Sequence, residues 1–223
     1  MNLGIENWLN QFIQKCTAAF SDRLCLIGLQ GSYGRGEATA DSDIDMVVIL
    51  DTLDTNDLKV YREIASSMPE SEKACGFCCG KQELLHWPRY DLFQLLHDTH
   101  VLYGSTAGLF PPLQPQDVQD AIHIGAANLY HAACHSYLYD KAPAVKLPSL
   151  YKGTFFILQA LHFYRTQQYI SQKQELLALL SGTDADILVL CINRHKTACY
   201  SPAETEAAYQ KLIAWCSGLL TIS

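Results

Sequence analysis

The chain is poor in positive charge: 16 lysines and arginines stand against 23 aspartates and glutamates, a formal net charge of −7 over 223 residues. That balance argues against a surface built to grip long nucleic acids, which calls for a basic face. It is compatible with a small-molecule substrate, including a cationic one. Long apolar runs are missing too. None approaches the roughly 18 residues of a membrane span, so no membrane partner is expected. There is no internal repeat and no low-complexity segment, which sets aside solenoids and disordered linkers. The opening stretch MNLGIENWLNQFIQKC has polar residues throughout. It reads as an amphipathic helix rather than as a charged start followed by an apolar core.

Cysteine, by contrast, is plentiful. Nine occur, an odd number, and without a secretion signal they are expected as reduced, mostly buried thiols in a cytoplasmic protein. Cys75, Cys78 and Cys79 lie in ACGFCCG, which contains one CxxC spacing. With no second pair it reads as local packing rather than zinc. His131 and His135 lie four apart with no third ligand in evidence.

About half the residues are apolar, enough for one large or two modest cores. Leu3, Trp8, Leu9, Phe12 and Ile13 fall at helical spacing. RLCLIGLQG reads as a buried strand ending in glycines, and DIDMVVIL as the next strand. Residues 54–67 fit a helix capped by Asp or Thr. Residues 74–85 suggest a short strand and a turn, and RYDLFQLLHD a further strand leading toward Gly104. GLFPPLQPQ, residues 108–116, carries three prolines and reads as a connection between domains. Beyond it, residues 117–139, 148–168, 172–181 and 202–220 read as helices. The expected fold class is α+β. A mixed sheet flanked by helices fills residues 1–108, and an all-α bundle fills residues 113–223.

The chemistry concentrates in QGSYGRGEATADSDIDMVVIL, residues 30–50. Gly31, Gly34 and Gly36 let backbone amides approach phosphate oxygens, and Ser32 adds a hydroxyl donor. Arg35 either binds phosphate or ties the loop to its neighbours. Asp43 and Asp45 alternate along an apolar run, so on a strand they would share a face and repel. A divalent cation would neutralise them.

The sequence GSYGRG followed by SDIDMVV resembles the GS-x-D-x-D signature of the nucleotidyltransferase (polymerase beta-like) superfamily. The short chain with a helical second half looks like its aminoglycoside and minimal members. The resemblance implies that Gly31 and Ser32 bind the triphosphate of ATP or another NTP, and that Asp43 and Asp45 ligate two Mg²⁺ ions. A hydroxyl of a small-molecule acceptor would then attack the α-phosphorus, releasing pyrophosphate. The family's third carboxylate, on a neighbouring strand, would be Asp91 in preference to Asp98. Lys152 and Lys173 are the expected triphosphate contacts from the helical half. Two other readings remain: transfer to a protein side chain, and a nucleotide-sensing module without turnover. The chain is expected as a monomer or homodimer.

Overall fold

A computed structural model describes residues 4–222; Leu3 lies outside them. The chain divides into two compact units. One runs through Pro88 and takes in Leu95–Pro112, while the other combines Arg89–Gln94 with the chain from Leu113 onward.

The first unit opens with α1 (Ile5–Phe20), which buries Trp8, Phe12, Cys16 and Phe20 at a constant four-residue step. One face of the helix is thereby apolar. Then come β1 (Leu24–Gln30), the single turn α2 (Gly31–Gly34), β2 (Ile44–Leu50) and α3 (Thr55–Ser66). Asp54 caps α3, its carboxylate accepting from the amides of Asn56 and Asp57. After β3 (Ala74–Gly80) follow the short α4 (Lys81–Leu85), α5 (Arg89–Asp98) and β4 (His100–Gly104). The sheet order is β3-β2-β1-β4, with β1 antiparallel to β2 and β4, and β2 parallel to β3.

Ile44, Met46, Val48 and Leu50 of β2 pack with Trp8, Phe12 and Ile64 in one core. By the strand's alternation Asp45 shares the opposite face with Val47 and Ile49. Burial pushes the Cys78 thiol up to about 11 and the Cys79 thiol up to about 12, so both are held as neutral thiols.

RYDLFQLLHD is a helix, not the expected strand; the edge strand is HVLYG, just beyond it. Its apolar residues Leu92, Phe93, Leu95 and Leu96 satisfy either period, and Pro88 sits at the N-cap, where a missing amide costs nothing.

The second unit contains α6 (Pro115–Tyr139), α7 (Leu147–Thr166), α8 (Lys173–Leu179), α9 (Gly182–Ile192), the short α10 (Arg194–Thr197) and α11 (Pro202–Leu219). Helix α9 falls where no helix is expected from the sequence. Helix α7 is its axis: the consecutive residues Leu158, Gln159, Ala160 and Leu161 are all almost fully buried, so the helix is covered on several faces, as in one enclosed by others. Two of the buried polar side chains on α7 are paired as follows. Tyr151 donates to the Ala208 carbonyl (2.9 Å), and Gln159 to that of Ile170 (2.9 Å). Among the described residues no helix is long and apolar enough to cross a membrane.

Candidate functional site

The site grows from the end of β1. Gln30 stands opposite Asp45 in the antiparallel pair. Its Nε2 donates to the Leu95 carbonyl (3.0 Å) and to Thr99 Oγ1 (2.9 Å), tying the strand end to the end of α5. The chain then turns sharply at Gly31, whose φ is +66°. A Cβ built there would lie 1.9 Å from Asp45 Oδ2 and 2.8 Å from its Cγ. Two constraints therefore select glycine: the left-handed backbone and the carboxylate pressed against the α-carbon. The expected reason, room for a phosphate, is joined by one internal to the protein.

The turn closes on itself through Arg35 N–H to the Gly31 carbonyl (3.1 Å) and Glu37 N–H to the Ser32 carbonyl (2.8 Å). Beneath it lies Arg35, its side chain 8 % exposed. Its Nη1 donates to Asp98 Oδ2 (2.7 Å) and its Nε to Glu37 (3.3 Å). Of the two roles open to Arg35, the structure shows it tying the loop down, its charge engaged by carboxylates.

Asp43 does not stand in the strand beside Asp45. It immediately precedes β2 and is exposed, whereas Asp45 is half-buried within it. Ser42 joins the turn before them, its Oγ accepting from the Thr39 amide (2.9 Å). Ser32, Asp43 and Asp45 thus belong to one short segment of the first unit, folded at the joined ends of β1 and β2.

The expectation of a third carboxylate on a neighbouring strand does not hold. Strands LCLIGLQ, ACGFCCG and HVLYG carry none, and Cys75 occupies the position of β3 paired with Asp45. Both candidates lie on α5. Asp91 is exposed in its first turn, within the second unit, and Asp98 is buried at its end as the partner of Arg35. No group of three or more His, Cys, Asp or Glu among the described residues is placed to hold a metal. Two carboxylates nevertheless suit Mg²⁺, which keeps several waters and takes its remaining ligands from substrate phosphates.

Lys152 is exposed on α7. Lys173 opens α8, its Nζ 4.6 Å from the centroid of the Phe155 ring, a cation–π contact. Both belong to the second unit. Gln30 and the Arg35–Asp98 pair went unread in the sequence because their partners are more than 60 residues away and no local spacing announces them.

Residues 9–92 match the family model described as a nucleotidyltransferase domain. A relative from Methanocaldococcus jannaschii, named "Putative protein adenylyltransferase", is 43% identical over 63 residues. That stretch is 27% of this chain and 43% of the relative's length, so this chain spans less than half of it. Among solved structures, a spectinomycin adenyltransferase from Enterococcus faecialis, crystallised with ATP and spectinomycin, aligns over 97% of this chain and 99% of that one. The TM-score is 0.61 and the identity 13%, a likeness of fold.

Proposed function

We propose that this chain, whose residues 9–92 match the nucleotidyltransferase domain model, transfers a nucleoside monophosphate from an NTP, ATP by preference, to a hydroxyl of a small molecule. The observation that carries this reading is the packing of Gly31 against Asp45, which brings the turn proposed to bind phosphate and the carboxylate proposed to bind metal into one corner.

Asp43 and Asp45 would hold Mg²⁺ between them. When bound, the cation offsets charge on the triphosphate and the departing pyrophosphate. Ser32 donates its hydroxyl to a phosphate oxygen, a charge-assisted bond. Gly31 lets the backbone come close, and Arg35 keeps the turn in place from below. Attack of the acceptor hydroxyl forms a new P–O bond at the α-phosphorus as the bond to pyrophosphate breaks, so the residues' work is positioning and electrostatics. Among the described strands only β2 carries a carboxylate, Asp45, and Asp43 directly precedes it, so the metal chemistry is assigned to this pair. The expected catalytic and metal-ligating role of Asp91 loses its strand-based argument. Lys152 and Lys173 remain proposed triphosphate contacts.

The second reading, transfer to a protein side chain, is favoured by the name of the M. jannaschii relative. A cavity inside the helical unit weighs for a small molecule. The test is incubation with Mg²⁺ and each of four α-labelled NTPs. A panel of aminoglycosides and other hydroxyl compounds is offered in parallel with a protein extract, and pyrophosphate and labelled adducts are followed. Label on a small molecule, lost in Asp43→Asn and Asp45→Asn with the fold retained, is the expected result. Label on protein alone supports the second reading, and undiminished transfer in either variant refutes the carboxylate assignment.

A further inference from the structure

Within the second unit, the first half of α5 packs with α6 and α7 around a cavity of about 510 Å³. Two glycines line it, for different reasons. Gly125 on α6 sits where a Cβ would be 2.9 Å from Ile157 Cγ1, so the two helices need its smallness to approach. Gly153 has no such reason. It lies inside the 20-residue α7, its φ is not positive, and a Cβ there would meet nothing within 4 Å. Glycine is among the weakest residues for a helix interior, and no contact among the described residues explains it here. The space it leaves belongs to the cavity.

The walls are apolar: Phe93, Leu129, Leu150, Phe156 and Ile157. Phe156 is 37% exposed, unusual for a phenylalanine set among a buried helix's neighbours. Among the described residues no lysine or arginine lines the cavity, so none of them offers a triphosphate a counter-charge. Asp91 is the one carboxylate among the described lining residues, too few for a polycation. Gln94 and Asn128 supply hydrogen-bonding groups. The Gln94 amide is oriented by Nε2 bonds to Tyr169 (3.0 Å) and Gln159 (3.3 Å). The volume falls within the roughly 300–1,000 Å³ typical of small-molecule sites.

We infer that this cavity binds the acceptor, a compact and largely apolar molecule that is neutral or carries a single positive charge, in preference to a nucleotide or a polycationic aminoglycoside. Only the word acceptor rests on the proposed transfer; the binding stands apart from it.

The test is a fluorescence titration of the full chain with N-phenyl-1-naphthylamine, without nucleotide or metal. Saturable one-to-one binding is expected, displaced by neither ATP nor kanamycin. Gly153→Leu, which fills the cavity, should weaken binding at least tenfold while the thermal midpoint stays level or rises, because leucine is the better helix former. Phe156→Ala removes a wall instead and should weaken binding several-fold. No saturable binding, wild-type affinity in both variants, or competition by ATP or kanamycin would overturn the inference. Asp43→Asn should titrate as the wild type, so failure of transfer and failure of binding are separable. An acceptor found in the transfer assay must displace the probe; one that does not would overturn the acceptor assignment.

Discussion

Replacing Gly31 by alanine separates what the backbone requires from what the carboxylate requires. At φ +66° an alanine pays the left-handed penalty of about 1–2 kcal/mol, which sets the expected loss of stability. The new methyl would stand 1.9 Å from Asp45 Oδ2 and 3.2 Å from Asp45 Cβ. The backbone is not in the way, so this overlap is relieved by swinging the Asp45 carboxylate aside by an ångström or more. Displacements of that size cost on the order of 10²-fold in rate where reacting groups must be held in line. Urea denaturation should therefore show a modest fall in midpoint with the slope unchanged, while transfer falls by about two orders of magnitude. A double-mutant cycle with Asp45→Asn tests the cause. If Gly31→Ala acts through Asp45, the two losses do not add. Wild-type transfer in Gly31→Ala, or full additivity in the cycle, would refute the argument.

Two further outcomes are expected. Removing one partner of the buried Arg35–Asp98 pair, as in Asp98→Ala, should destabilise by about 3–5 kcal/mol in urea, whereas Arg35→Met with Asp98→Leu should recover most of it; equal losses in the single and double variants would contradict this. His162 is buried with no hydrogen-bond partner for its Nε2, and burial followed by the nearby Arg165 charge lowers its pKa below the ordinary 6.5. Its folded-state pKa being depressed, its contribution to stability is complete above pH 6.5 and is lost as pH falls through that value toward the lower one. His97, lowered by burial, adds to the same slope, so the measurement is the change on His162→Phe: denaturation midpoints across pH 5–7.5 should flatten, and an unchanged slope would sink the assignment.

Much of the first unit was legible because its signals are local. The four-residue step of α1 gives one buried stripe, Val and Ile enrichment marks β2, and Asp54 caps α3 through amides two and three residues away. The glycine-serine turn and the aspartates that follow were readable for the same reason, since the turn and β2 are near in sequence and meet in an antiparallel pair. The helical half was readable from apolar periodicity between prolines and glycines. Helix α9 escaped because GTDADILVLCI packs its apolar residues into one run, with no periodicity to separate helix from strand.

What the sequence determined by itself is therefore where the candidate residues gather, in the segment Gly31 to Asp45, and the mixed-then-helical order of the elements. The tertiary structure decided the rest. RYDLFQLLHD is a helix, which its apolar pattern alone does not decide. Leu92 and Phe93 are buried at one end, and at the other Asp98 meets Arg35 from 63 residues away. Burial likewise decided between the two roles open to Arg35, pairing it with Asp98 beneath the loop. No spacing along the chain encodes that choice, because a charge becomes structural only when the fold brings its opposite to 2.7 Å and removes the water between them.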